Sequence, residues 1–281
     1  MCGPTASGKS ELSDALAERL TGELGDRVPT LVVDSMQVYR EIPAITNQAR
    51  RRPAELVGVV SVTEAWTVAL HKVRSEKIIE GTEAPFVLDA GTGMYLNAIL
   101  LDIPLAPKVE RETRSLAQSI TAGAPNPRRA SRAKELELAG ASLRGSIWGG
   151  ELRYHTSIVY LRPYRERLDT AIARRSAEIV RDGLDEAERL RDMARAGARV
   201  NPSVTDSIGV RELLLHLEGE LSLQEAEERI STRTRKLARR QSRWFDKLAQ
   251  TMQRRANVQV VENLRALDLD LLNYMHDRIG A

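Results

Sequence analysis

The chain has 281 residues, with 42 Lys and Arg against 39 Asp and Glu, a formal net charge of +3. At 42% hydrophobic and 29% charged it carries enough apolar surface to fold, which excludes a disordered chain and leaves one large domain or two small ones. No apolar run reaches the ~18 residues of a bilayer span, no signal peptide opens the chain, and the single cysteine, Cys2, has no internal partner, so a soluble cytoplasmic protein is expected.

Gly3-Pro4-Thr5-Ala6-Ser7-Gly8-Lys9-Ser10 fits G-x-x-x-x-G-K-[ST] at every fixed position. In such a loop the glycines let backbone N–H groups close on phosphate oxygens, Lys9 reaches the terminal phosphate, and the Ser10 hydroxyl can hold Mg²⁺. A helix over 11–20 would present its positive end to the same anion. A loop of this kind follows a buried strand, yet only Met1 and Cys2 precede Gly3. A strand needs ~5 residues, so the first strand is expected to be missing and the loop poorly anchored.

Leu31-Val32-Val33-Asp34 and Phe86-Val87-Leu88-Asp89 are apolar runs ending in an acid, and read as buried parallel strands with a helix over 64–80 between them. The alternation predicts an α/β fold: a P-loop NTPase-like parallel sheet with a small helical insertion and a helical C-terminal region. Prolines and glycines from Ile103 to about Ser146 mark the insertion. The division is a core over 1–104, a short helical insertion over 105–146, and a strand plus C-terminal helices over 147–281. Ser157–Leu161 is the further strand, and long charged helical pattern follows from Arg165, broken at Asn201-Pro202 and at Gly219.

Arginine supplies 35 of the 42 cations. That suits bidentate phosphate binding, and equally follows from genomic base composition. Position is more telling, because seven of the fifteen residues from Arg229 to Arg243 are basic. On a helix Arg229, Arg233, Lys236, Arg240 and Arg243 share one face, while Ile230, Thr234, Leu237, Gln241, Trp244 and Leu248 share another. Such a stripe is either a solvated face or a nucleic-acid surface, and the near absence of acids on it favours the second. The histidines lack metal-ligand spacing, so no zinc site is expected. Trp66, Trp148 and Trp244 read as packing residues, with Trp148 in its Gly-rich loop also suited to base stacking.

Gly3–Ser10 followed by Asp34-Ser35-Met36-Gln37-Val38-Tyr39-Arg40 resembles the tRNA dimethylallyltransferase (tRNA isopentenyltransferase) family, which pairs this loop with a D-S-x-Q-x-Y-R segment. Ala90-Gly91-Thr92-Gly93-Met94-Tyr95 is similar to its G-G-T-G-x-Y loop, Arg128–Arg132 to its R-x-x-R helix, and Ser207–Leu213 to its A-I-G-Y-[KR]-E-L. Thr234–Phe245 resembles its T-R-x-x-A-[KR]-R-Q-x-T-W-F, and the motifs run in family order. The resemblance implies Mg²⁺-dependent transfer of a dimethylallyl group from dimethylallyl diphosphate to the exocyclic amine of an adenosine beside the tRNA anticodon. The phosphate loop, Gly3 to Ser10, would then cradle a prenyl diphosphate rather than ATP. Asp34 would be the general base and Thr92 would contact the leaving-group oxygen. Asp34, Ser35, Met36 and Gln37 would meet tRNA, as would Arg111, Arg128, Arg129 and Arg132 of the insertion, Arg211, and Arg233, Arg239, Arg240, Gln241 and Arg243 of the basic stripe. The protein would act as a monomer, away from membranes.

The residues themselves support Asp34, because displacement of diphosphate by an amine needs a proton acceptor at a strand's C-terminal end. A Mg²⁺ ligand or a helix cap remains open for it. For Thr92 a plain turn residue remains open. Several positions depart from the family pattern. Ala44-Ile45-Thr46-Asn47-Gln48 stands in place of G-T-A-K-P, and Ala171 replaces an arginine near the diphosphate, with Arg174 and Arg175 as neighbours. Asp89 occupies an apolar place, as an added Mg²⁺ ligand or a strand cap, and Asp246 an often basic one. Two rivals follow: a small-molecule P-loop enzyme (adenylate prenyltransferase or kinase), and a non-catalytic tRNA-binding relative.

Overall fold

The computed structural model describes residues 1–107, 109–125, 127–141 and 145–262. In chain order these form α1 (Lys9–Leu24), β1 (Thr30–Val33), α2 (Pro43–Thr46), β2 (Ala54–Glu55), α3 (Val68–Glu80), β3 (Val87–Ala90), α4 (Gly93–Leu100) and the insertion helices α5 (Arg111–Ile120) and α6 (Pro127–Leu138). Then come β4 (Ser157–Leu161), α7 (Arg165–Arg195), α8 (Pro202–Thr205), α9 (Val210–Leu217), α10 (Leu223–Met252) and β5 (Asn257–Val261). The predicted helix over 64–80 starts later, at Val68, because the Thr67 hydroxyl accepts from the Leu70 N–H and caps it there. The long α10 opens on a capping box between Ser222 and Glu225.

Two parallel ladders, β2-β1-β3 and β4-β5, share one sheet direction. What joins them corrects the expectation of a missing strand. Cys2 forms parallel bridges to Ala90 on one side and Tyr160 on the other. Its N–H donates to Val159 O at 2.9 Å, its carbonyl accepts from Leu161 N at 2.9 Å, and Met1 O accepts from Ala90 N at 2.9 Å. Two residues therefore occupy the central position, since each backbone group finds a partner on a neighbouring strand. The phosphate loop is thereby tied to the sheet. Burial pushes the Cys2 thiol up to about 12, so it packs as an inert apolar group.

Leu16, Ala17 and Leu20 of α1 pack with Val28, Val87, Val159 and Leu161 on one face of the sheet. On the other, α4 and the C-terminal half of α10 close over Leu31, Val33, Ala90 and Tyr160. A further cluster joins α7, α9 and α10 to Val38, Tyr39, Ile42 and Ile45. Within it α2 is held at both ends by α7. Glu186 accepts from the N–H groups of Ala44 (2.7 Å) and Ile45 (2.9 Å), and Arg175 donates to the carbonyls of the same two residues. Arg175 is thus committed to the segment that departs from G-T-A-K-P.

His71 of α3 is fully buried, accepts from Trp66 Nε1 at 3.0 Å on Nδ1, and lies 4.9 Å from the Tyr95 ring. Burial lowers its pKa from 6.5 to about 4. A base whose folded-state pKa is depressed stabilises the fold above its unfolded pKa, and that contribution fades as pH falls from about 6.5 to about 4. A 2.5-unit shift is worth about 3 kcal/mol. Urea unfolding of His71→Phe should accordingly show a flatter stability profile than the wild type across this window; parallel profiles would mean His71 is not held neutral.

Candidate active site

Three turns meet at the C-terminal ends of the parallel strands, the place where α/β sheets bind ligands. The phosphate loop follows Met1–Cys2, Asp34 follows β1, and Gly91–Thr92 follows β3. Ala6 (φ 61) and Gly8 (φ 86) take the left-handed region, which curls the loop's N–H groups inward. α1 starts behind Gly8 and α4 behind Thr92, neither has a side-chain cap, and Gly8 and Thr92 both line the same cleft.

Gly91 lies between two of the side chains that line that cleft. A Cβ placed on it would lie 2.9 Å from Asp34 Oδ2 and 3.5 Å from Lys9 Nζ, so cation and carboxylate converge on one point that only glycine leaves open. Asp34 divides its work between its two oxygens. Oδ1 accepts from Met36 N (2.8 Å) and Gln37 N (3.3 Å), closing the turn after β1. Oδ2 receives the Thr92 hydroxyl at 3.4 Å and faces the cleft. One oxygen of Asp34 is thus taken up by the turn, and the other faces the cleft beside Thr92. Thr92 is more than a turn residue, since its Oγ1 also accepts from Ser35 N at 3.3 Å.

A continuous cleft of about 1680 Å³ runs from Thr5–Ser10 and Asp34–Gln37 to α7 and α10. Its aromatic lining is Tyr39, Trp66 and Tyr95. Burial and then the Asp34 charge raise the Tyr95 phenol above its usual range, so it stays protonated beside the carboxylate. Arg167 apart, the cations along the cleft fall into two groups. Arg50, Arg51, Arg174, Arg175 and Arg233 all have carboxylate partners. Lys9, Lys236 and Arg240 have none among the described residues, and Lys236 and Arg240 stand one turn apart on α10.

The other sequence-predicted residues have the following surroundings. Arg233 reaches the buried Glu212 and the Asp206 carbonyl, because an acid that deep needs a cation. Gln241 turns its carboxamide to backbone, accepting from Thr5 N at 2.9 Å and donating to Gly91 O at 2.8 Å. Arg211 pairs with Asp206, and Arg132 with Glu135 and the Pro107 carbonyl. Arg239 and Arg243 are exposed on α10 outside the cleft lining, and Arg111 is exposed at the start of α5. Arg128 and Arg129 fall in the first turn of α6, with side chains outside the described part. Trp148 packs against Trp244 at 4.9 Å, with the Lys247 ammonium 4.7 Å over its ring. Asp246 holds Arg162 (2.8 Å) and the Tyr160 hydroxyl (3.1 Å), fastening α10 to β4.

Asp89, read as an added Mg²⁺ ligand or a strand cap, sits in a buried ion cluster. It ion-pairs with Arg50 at 2.6 Å, and the same guanidinium holds Asp14 at 2.7 Å, all three side chains being 5% exposed or less. Arg50 escaped notice in the sequence; the one signal was an acid, Asp89, at the end of an apolar strand.

The sequence profile of the IPP transferase family matches residues 37–125 and 115–248. A tRNA dimethylallyltransferase from Rubrobacter xylanophilus is 65% identical over 283 residues, covering 100% of this chain and 97% of the relative. One from Bacillus licheniformis is 32% identical, covering 87% of this chain and 86% of the relative. Among solved structures, the full-length tRNA isopentenylpyrophosphate transferase of Bacillus halodurans superposes with a TM-score of 0.69 at 26% identity, over 99% of this chain and 95% of that one. A eukaryotic dimethylallyltransferase acting on tRNA shares the fold with a TM-score of 0.71 at 22% identity, over 98% of this chain and 76% of that one.

Proposed function

The chain belongs to the IPP transferase family and transfers a dimethylallyl group to tRNA, and from that premise we propose that the donor is dimethylallyl diphosphate, the acceptor the exocyclic amine of an adenosine beside the anticodon, and Asp34 the base. The observation that carries this reading is the convergence of Asp34 Oδ2 and Lys9 Nζ on Gly91. Prenyl transfer to an amine needs a cation where diphosphate departs and a proton acceptor where nitrogen attacks, within one substrate length.

The diphosphate lies in the loop between the N-termini of α1 and α4, its charge met by Lys9 and open N–H groups. As the allylic C–O bond breaks, the amine nitrogen bonds to the same carbon. Asp34 Oδ2 takes the amine proton, and the Thr92 hydroxyl keeps that oxygen aimed at the cleft. Here Thr92 orients the base, a different contact from the leaving-group oxygen expected of it. The adenosine reaches the site by leaving its stack, and Lys236 and Arg240 meet the surrounding phosphates.

Mg²⁺ is part of the proposal. Among the described residues no three His, Cys, Asp or Glu side chains form a metal cage. The cleft instead offers the Ser10 hydroxyl beside the loop, and this set fits a Mg²⁺ held mainly by diphosphate oxygens and water. Bound there, the ion would neutralise leaving-group charge. Among the described residues no helix is long and apolar enough to cross a membrane. We propose a monomer working in the cytoplasm, where tRNA is. Incubation of the protein with unmodified tRNA, dimethylallyl diphosphate and Mg²⁺, followed by mass analysis of the nucleosides, should give an adenosine heavier by one dimethylallyl group. Retention of tRNA without that product would favour the non-catalytic reading.

A further inference from the structure

We infer that Gln241 is a positioning residue: its carboxamide sets the gap between the phosphate loop and the Gly91–Gly93 turn, so that α10 holds the donor site in register with the tRNA surface. The inference deepens the proposed function and rests on it.

The carboxamide is used from both sides, as acceptor for Thr5 N in the loop and donor to Gly91 O in the turn. Its partners are 236 and 150 residues away in sequence, and it joins the two turns by hydrogen bonds to the backbone of each. The turn is fixed a second time one helical turn further along α10. The Trp244 indole lies so close over Gly93 that a Cβ there would collide with it, while Trp244 Nε1 donates to Asn97 Oδ1 at 3.3 Å. Gly91 in turn packs between Asp34 Oδ2 and the Lys9 side chain, so a shift of this turn alters the spacing of base and cation.

The same helix presents Lys236 and Arg240 to the cleft, Arg240 being the residue next to Gln241. Load placed on α10 by a phosphate chain therefore reaches the loop through one hydrogen bond and the Gly91 turn through another. With Thr5 N–H occupied by Gln241, the loop's offer to diphosphate begins at Ala6. Rate is sensitive to such placement: a misalignment of ~1 Å can cost about a hundredfold.

The test compares Gln241→Met, close in shape but without the carboxamide, and Gln241→Asn, polar but one methylene short. Three quantities are read: kcat/KM for dimethylallyl diphosphate at saturating tRNA, tRNA retention on filters, and binding of inorganic diphosphate with and without tRNA. Both variants should lose about tenfold or more in kcat/KM for the donor, with tRNA retention unchanged within about twofold. In the wild type tRNA should tighten diphosphate binding, and in the variants that gain should vanish. A merely structural role would lower the melting temperature without removing this coupling. Weakened tRNA retention with an unchanged donor KM would overturn the inference and place Gln241 on the tRNA, as would donor kinetics within twofold of wild type. Product formation by the wild type in the same assay checks the underlying reaction separately.

Discussion

Asp34→Asn should abolish measurable turnover while leaving tRNA affinity and the melting temperature close to wild type. The amide oxygen of asparagine can still accept from Met36 N and Gln37 N, so the turn after β1 keeps its closure. The other arm, now an NH₂ group, has no lone pair for the amine proton and no charge opposite Lys9. Loss of a general base typically costs 10²- to 10⁴-fold, and loss of the carboxylate beside the reacting nitrogen adds to it. Single-turnover measurement at saturating tRNA separates chemistry from binding. Transfer at the parental rate would remove Asp34 from the mechanism.

The second large effect falls on stability. Arg50→Met should destabilise the fold by about 3–5 kcal/mol, because it leaves Asp14 and Asp89 buried without their cation. That is a large share of the ~5–15 kcal/mol that holds a domain together. Arg50→Lys should recover only part, since a point charge cannot reach both carboxylates and the Ser10 carbonyl as the guanidinium fork does. The triple change Arg50→Met, Asp14→Leu, Asp89→Val should restore most of the loss, because an apolar replacement of a whole buried ion cluster is often neutral. Chemical unfolding of the four proteins checks this, and a single Arg50→Met variant as stable as the wild type would mean the triad contributes nothing.

How legible these features are in the sequence depends on how local they are. The phosphate loop, Asp34 and Thr92 announce themselves because their chemistry is written in short runs with fixed spacing. Helical periodicity sorts α10 into an inward and an outward stripe, and Ile230, Thr234 and Leu248 are indeed buried. Periodicity does not tell which outward cations meet an acid from another helix, and so it grouped Arg233 with Arg240. Arg50, His71 and the carboxamide of Gln241 were opaque for the same reason, their partners lying on separate elements. Residue count alone hides the pairing of Met1 and Cys2, since two residues suffice when both neighbouring strands supply partners.

The way the sheet is stitched governs when the protein becomes functional as it is made. Cys2 needs Ala90 and Tyr160 before it can take its place, and Thr5 needs Gln241. Synthesis delivers these segments in order, and pairings so distant along the chain are slow to close. A nascent polypeptide lacking α10 therefore carries the full phosphate-loop signature without a working donor pocket. The last long helix completes the loop, and chains ending short of it are expected to leave tRNA unmodified.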